Sequence, residues 1–154
     1  MKAGIGLLSL ALCFAVASPC LAQNPMAGTW KLNEGKSTIP DGFPKNTSVL
    51  YEAAGDSTKV TTDGIGRDGK PTHTEWTGKF DGKDYAVTGD PTLDTRSYMK
   101  VNDHKLTMSN KKGGKVVSSG TIVVAPDGKS RKVTLKGTDS TGKSTTGVTV
   151  YDKQ

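Results

Sequence analysis

At 154 residues, the chain is long enough for one domain and too short for two of ordinary size. Its formal net charge is +6 at pH 7, and its basic residues are almost all lysines, with three arginines, Arg67, Arg96 and Arg131. Because arginine is the usual reader of phosphates and bases, this balance favours a solubilising lysine-rich exterior and argues against nucleic acid as a partner.

The first 22 residues have the pattern of a cleavable signal peptide. Lys2 gives a positive start, and the apolar run from Ile5 to Ala17 is too short to span a bilayer comfortably. Small residues at Cys20 and Ala22 predict cleavage after Ala22. A buried N-terminal helix and a lipid anchor at Cys20 are the alternatives, and Pro19 fits the anchor poorly. We therefore expect a signal helix followed by an exported protein, periplasmic or secreted.

Removal of the signal leaves one predicted domain over 23–154. Both cysteines, Cys13 and Cys20, leave with the signal, so the mature domain has no disulfide, no thiol nucleophile and no thiolate metal ligand. No part of 23–154 has the length and apolarity of a transmembrane helix. We therefore expect a monomer that is held together by its hydrophobic core.

Glycine turns divide the mature chain into short segments rich in Thr, Val, Tyr and Trp. Pairs such as Asp81-Gly82 and Asp127-Gly128 favour tight hairpin turns, because glycine readily adopts the positive φ that these turns need. The intervals leave no room for crossover helices. The predicted strands are 28–33, 47–53, 57–63, 71–80, 83–88, 94–101, 104–111, 115–124, 130–138 and 144–152.

Many of these segments alternate between apolar and charged side chains. Trp76 and Phe80, for example, oppose Glu75 and Lys79 on the same ribbon, which predicts one dry and one wet face. An open sheet of this size would leave two costly edges. The sequence therefore predicts an all-β protein, an antiparallel up-and-down meander of about eight to ten strands closed into a barrel. Lysines on the outer face would cost about 2–4 kcal/mol each in lipid, which argues against an outer-membrane barrel.

One long connection, 34–46, interrupts the pattern. Pro40, Pro44 and two glycines argue against a helix, so we predict an irregular loop over one end of the barrel. Ile39 and Phe43 could plug that end, and an ordinary exposed loop is the alternative.

Two short segments resemble known barrel families. Gly28-Thr29-Trp30-Lys31-Leu32 resembles the first strand of lipocalins and fatty-acid-binding proteins, in which a Gly-x-Trp places the indole across the barrel floor. Val150-Tyr151-Asp152-Lys153 resembles the last strand of the fatty-acid-binding proteins. The resemblance implies a lipocalin-like (calycin) barrel of a small exported bacterial type.

The resemblance and the hydropathy pattern disagree about the last strand. The resemblance points Thr149 and Tyr151 inward, whereas alternation would bury Val148 and Val150. In the fatty-acid-binding proteins an arginine two positions before the tyrosine grips the ligand's carboxylate, and Thr149 stands at that position here. Both orientations stay open at the level of sequence.

No arrangement of residues predicts catalysis. The two histidines, His73 and His104, are expected on the surface, and most aspartates lie in turns, where their side chains bond local backbone. We therefore expect no enzyme activity, no cofactor and no metal site.

The predicted interior favours binding of a small apolar or amphipathic ligand without chemistry. Alternation points Met99 and Val116 inward together with large apolar residues of other strands. The alternative is a structural or surface-interaction module with a filled core and a lysine-rich exterior. The candidate ligand-binding residues are Trp76, Phe80, Met99, Met108, Arg131 and Tyr151.

Arg131 shares the parity of the apolar positions Val133 and Leu135. It could therefore point inward and counter a ligand anion, stack on Trp30 at the barrel floor, or reach solvent at the rim. The sequence leaves these three positions open.

Overall fold

The computed structural model describes residues 24–154, so the predicted signal peptide lies outside the described residues. Ten strands follow one another along the described chain, at nearly the intervals that the glycine turns predict. The strands are β1 (Gly28–Thr38), β2 (Lys45–Ala54), β3 (Ser57–Ile65), β4 (Pro71–Gly78), β5 (Tyr85–Thr88), β6 (Thr95–Asn102), β7 (Lys105–Lys112), β8 (Lys115–Val124), β9 (Ser130–Thr138) and β10 (Ser144–Lys153).

Each strand pairs antiparallel with its neighbours in the chain, and β1 pairs with β10 to close the barrel. The predicted all-β closed meander is therefore confirmed. Closure pairs the backbone N–H and C=O groups that the two edge strands of an open sheet would leave exposed. Within residues 24–154, no helix has the length and hydropathy needed to cross a membrane.

The irregular connection between β1 and β2 is shorter than predicted, because only residues 39–44 lie outside strands. β1 continues past a bulge between Asn33 and Thr38, and its pairing with β10 resumes at Val148. The Ser37 hydroxyl stabilises this bulge by donating to the Asn33 carbonyl (2.7 Å) and accepting from the Val150 amide (2.9 Å). Residues 39–44 contain no helix, as predicted, and Pro40 follows the end of β1 by two residues.

Indole side chains and most lysine side chains lie on opposite sides of the sheet, as alternation predicts. Lys153 is an exception at the barrel rim, since it pairs with Trp30 across β1 and β10 and its Nζ lies 5.2 Å from the Trp30 ring centroid. Trp30 and Trp76 are both at most 1% exposed, and the lysines of the described strands face solvent or the barrel rim. The Trp76 indole nitrogen donates to the Arg96 carbonyl (2.9 Å), which satisfies its polar group inside the barrel. Burial of each such ring stabilises the fold by roughly 1.5–3 kcal/mol.

The inward orientation predicted for Met99 is wrong. Met99 is 52% exposed, whereas Tyr98 is buried and lies opposite Met108 on the inner wall. The hydropathy of β6 misleads because its inward side also carries Arg96, which is charged. The Arg96 guanidinium is accommodated because its Nε donates to the Asn110 amide oxygen (2.6 Å).

The inward orientation predicted for Val116 is also wrong, since this side chain is 59% exposed. Ser118 pairs with Asn110, but the next pair joins Val116 to Lys111, so Val117 is an extra residue in β8. A one-residue bulge reverses the parity of everything beyond it. The alternation of the rest of β8 therefore predicts the wrong orientation for Val116.

The last strand has the orientation that the resemblance implies. Tyr151 is buried at 3% exposure, and Gly147, of the same parity, is buried too. Val148 and Val150 belong to the opposite parity and are only half-buried. The alternative orientation suggested by alternation, with Val148 and Val150 buried on the inner side, is therefore wrong.

On the outer wall, His73 lies in the exposed position predicted for it, with its Nδ1 2.6 Å from the Asp63 carboxylate. The hydrogen bond to Asp63 raises the pKa of His73 above its ordinary value of 6.5. The pair therefore stabilises the folded state below about pH 6.5, and this contribution disappears as pH rises through the raised pKa.

We expect His73→Gln to reduce the loss of stability between about pH 5.5 and about pH 8, relative to the wild type. Urea unfolding of both proteins at the two pH values measures this difference. An identical pH dependence in the two proteins would show that the pair contributes nothing.

Candidate binding cavity

A small cavity lies inside the barrel between the inner faces of β7, β9 and β10 and the connection 39–44. Its volume is about 50 Å³, and apolar side chains form most of its wall. The lining residues are Ile39, Phe43, Pro44, Asn46, Met108, Val133, Leu135, Gly147, Thr149 and Tyr151.

Residues 39–44, called the lid loop below, close this end of the barrel with Phe43. The Phe43 ring is buried at 8% exposure and lies against two glycines of the inner wall. A Cβ on Gly147 would lie 3.2 Å from Phe43 Cδ1 and 2.9 Å from Pro40 Cδ, and one on Gly137 would lie 3.5 Å from Phe43 Cζ. The glycines thus form a seat for the ring, and the predicted plug by Phe43 is confirmed.

Two contacts hold the lid loop from outside. The Ser140 amide, in the turn between β9 and β10, donates to the Asp41 carbonyl over a long 3.4 Å. Arg67, in the turn between β3 and β4, reaches across the barrel end, where its Nη1 donates to the Thr138 carbonyl (3.2 Å). The Arg67 guanidinium lies 5.9 Å from the Phe43 ring centroid. The lid is therefore held mainly by packing of one aromatic ring, with few hydrogen bonds.

Arg131 lies deeper in the barrel and is buried at 3% exposure. Its guanidinium carbon is 5.0 Å from the ring of Trp30, 5.0 Å from that of Tyr51 and 4.7 Å from that of Tyr151. Tyr151 is also its cross-strand partner on β10. Of the positions left open by the sequence, the structure shows the stack on Trp30, with two tyrosines added.

The six predicted ligand-binding residues lie in several different places in the barrel. Met108 and Tyr151 line the cavity. Arg131 lies deeper in the barrel, where its guanidinium contacts the Tyr151 ring. Trp76 and Phe80 instead belong to an aromatic cluster outside the cavity wall, in which Trp76 lies 6.2 Å from Phe80 and 4.8 Å from Tyr98. Met99 is on the outer surface.

Sequence reasoning missed Tyr51 and Gly147 as parts of this region, whereas Leu135, predicted to point inward, lines the cavity. Tyr51 has the parity of the buried Val49 on β2, so the alternation of that strand already contained the signal. Thr149, identified by the resemblance as a departure from the family pattern, lines the cavity beside Tyr151.

Within residues 24–154, no three His, Cys, Asp or Glu side chains lie close enough together to hold a metal ion. His104, predicted to be solvated, is half-buried at the turn between β6 and β7, and its Nδ1 has no hydrogen-bond partner in the described chain. The cavity itself offers hydroxyl, amide and apolar groups, which suit binding by shape and hydrogen bonding.

No protein-family model matches the chain, and no curated protein matches it. Among solved structures, the chain is similar to the β-barrel EF1p2_mFAP2b bound to DFHBI, with 9% identity and a TM-score of 0.48 over 84% of this chain and 94% of that one. It is also similar to a redesigned β-barrel, mFAP1, bound to DFHBI, with 12% identity and a TM-score of 0.45 over 84% and 95% of the two chains. Because both scores are low, the assignment of the fold rests on the strand pairing described above.

Proposed function

We propose that this chain is an exported small β-barrel that binds a small apolar or amphipathic ligand without chemistry, in the cavity beneath the lid loop. The observation that carries the proposal is the seat of Phe43. A ring from a weakly bonded loop occupies the barrel interior on two glycines, next to an apolar wall that includes Met108 and Tyr151.

The size of the cavity determines how a ligand would bind. Small-molecule sites enclose roughly 300–1,000 Å³, whereas the space beneath Phe43 is about 50 Å³. A ligand larger than a few waters must therefore displace the Phe43 ring. Burial of a phenylalanine is worth about 1.5–3 kcal/mol, so this displacement weakens binding by about ten- to a hundredfold relative to an open barrel.

A displacement titration tests the proposal. An anionic naphthalene dye that fluoresces in apolar surroundings is first bound, and then decanoate or decanol is added. The proposal expects saturable dye binding with one site per chain and competitive release by an amphiphile. Dye fluorescence that neither amphiphile lowers, or that appears only on unfolding, would contradict it.

Export is part of the proposal and follows from the pattern of residues 1–22. A mature protein whose intact mass corresponds to 23–154 would support export with cleavage after Ala22. A full-length mass retained in the cytoplasm would contradict it.

The outer wall of the barrel favours a second candidate, a module that binds anionic surfaces. Lys105, Val123 and Lys132 are neighbours in register across β7, β8 and β9, and Val123 is 37% exposed. Neither lysine forms an ion pair within residues 24–154. Retention on anionic beads that is lost with added salt and in a Lys132→Gln variant would support this function.

A further inference from the structure

The two parts of the described chain carry side-chain charges of opposite sign. Residues 24–104 contain ten lysines and arginines and twelve acidic residues, so their charge is −2 at pH 7 with histidine neutral. Residues 105–154 contain ten lysines and arginines and three acidic residues, so their charge is +7. Because the strands follow one another around the barrel, the positive charge is concentrated on the wall formed by β7–β10. Such an asymmetry attracts and orients anionic partners before contact.

The strands β7, β8 and β9 contain no acidic residue that could neutralise their lysines. On their outer side, Lys105, Lys132 and Lys136 form no ion pair within residues 24–154. On the opposite wall, by contrast, Lys59 of β3 pairs with Glu75 of β4. Three positive charges of the β7–β9 wall are therefore available to an external anion.

A row of hydroxyl groups lies between these lysines. Thr107, Thr121 and Thr134 are neighbours in register across β7, β8 and β9, and they are called the threonine row below. Each faces outward, because the residue that follows it in its strand is buried or lines the cavity. Adjacent strands lie about 4.8 Å apart, so the three hydroxyls repeat at about that interval.

Lysines flank the threonine row on both sides. Lys105 and Lys132 lie in the adjoining row on one side, each in register with Val123 between them. Lys136 lies in the adjoining row on the other side, in register with Ser119. Rows two residues apart along a strand are separated by about 6.5 Å. The wall therefore presents a narrow band of hydroxyls bordered by positive charge.

The composition of this wall distinguishes among anionic partners. β7, β8 and β9 contain no aromatic residue, whereas single-stranded nucleic acids stack on aromatic rings and membrane-surface segments bury Trp, Phe or Leu. The one arginine of these strands, Arg131, points into the barrel. An acidic sugar polymer instead needs hydrogen bonds to its hydroxyls and positive charge beside its carboxylates. The β7–β9 wall supplies both.

We propose that the outer wall of β7–β9 binds a linear acidic polysaccharide, a uronic acid polymer that lies along the threonine row with its carboxylates beside the flanking lysines. This inference rests on the second candidate function, the binding of anionic surfaces, and names its partner. It does not depend on the cavity, which lies on the inner side of the same sheet. Lysine suits this partner, because a point charge on a flexible stem can follow carboxylates of different orientations.

Polygalacturonate, its methyl ester and phosphatidylglycerol vesicles are the probes that test this inference. At equal concentrations of negative charge, we expect the protein to bind polygalacturonate more tightly than the vesicles. The affinity for polygalacturonate should fall as salt is added, since exposed charges are screened. The fully methylated ester has the same sugar backbone without the charge, and we expect no measurable binding to it.

Variants of the wall separate the role of charge from that of the hydroxyls. The triple variant Lys105→Gln, Lys132→Gln and Lys136→Gln is expected to bind polygalacturonate about tenfold more weakly, because each exposed ion pair contributes a few-fold. Thr134→Val keeps the charge and the shape. It is expected to weaken polygalacturonate binding by about two- to tenfold, the effect of one hydrogen bond, and to leave vesicle binding unchanged.

Lys59→Gln and Thr61→Val, on the outer side of β3, are the matched controls on the opposite wall, and we expect both to bind polygalacturonate as the wild type does. Tighter binding to the vesicles than to polygalacturonate, or undiminished polygalacturonate binding by Thr134→Val, would overturn the polysaccharide assignment and leave the anionic-surface function standing. Failure of both charged probes to bind would overturn the assignment and that function together, and the cavity proposal would still stand on its own titration.

Discussion

Replacing Tyr98 by alanine is expected to lower the free energy of unfolding by about 3–5 kcal/mol, the range for a buried aromatic ring. The same change at the adjacent Met99 is expected to alter it by less than about 0.5 kcal/mol. Tyr98 is 2% exposed and lies edge-on to Trp76 at 4.8 Å and to Phe80 at 5.8 Å. Met99 is 52% exposed on the other side of the same strand.

Urea unfolding of the two variants and the wild type measures this difference, provided that the slope of free energy against urea is unchanged. The pair is informative because hydropathy alone ranks the two positions the other way. A larger loss at Met99 than at Tyr98 would show that β6 has the opposite register, with the inner wall built from Ser97 and Met99.

Replacing Phe43 by alanine is expected to have opposite effects on stability and on binding. Stability should fall by about 2–4 kcal/mol, because the ring is buried on Gly137 and Gly147. Affinity for decanoate should rise by about ten- to a hundredfold, since the ligand no longer has to displace the ring. Isothermal titration of decanoate and urea unfolding provide the two measurements.

Ile65→Ala is the matched control, because Ile65 ends β3 at the same end of the barrel and is 36% exposed. We expect it to change neither quantity appreciably. If Phe43→Ala weakened decanoate binding instead, Phe43 would be a wall of the site, and the assignment of its seat as ligand space would be wrong.

The architecture of the barrel was predictable because it depends on local patterns. Turn glycines such as Gly82 and Gly128 mark the hairpins, and both have positive φ in the structure. Alternation places Trp30 and Trp76 inside without any knowledge of their neighbours. These signals recur on strand after strand, so the number and order of the strands follow from them.

Whether a side chain points into the barrel or out of it was less predictable, because one extra residue in a strand reverses the alternation for the residues beyond it. At Val116 the cause is a bulge that no local pattern marks, and at Met99 it is an inward arginine whose partner, Asn110, comes from another strand. On β10 the valines suggest one face and the resemblance suggests the other, and only the pairing with β9 decides. Parity thus depends on contacts between distant parts of the chain.

The candidate site was predictable in part for the same reason. Alternation points Met108 and Arg131 inward, and the resemblance points Tyr151 inward, but the sequence does not show that Arg131 lies beside Tyr151. It also does not show that Gly137 and Gly147 make room for Phe43, because these glycines come together with the lid loop only when the barrel closes.

The most direct test of ligand binding inside the barrel is a nuclear Overhauser experiment on protein with carbon-13-labelled methionine methyl groups and bound decanoate. Met108 lines the cavity, and Met99 lies on the outer surface, so the two methyl groups report on the two sides of the sheet. We predict contacts from the decanoate chain to the Met108 methyl and to the Tyr151 ring. Contacts to the Met99 methyl alone would place the ligand outside the barrel and contradict binding within it.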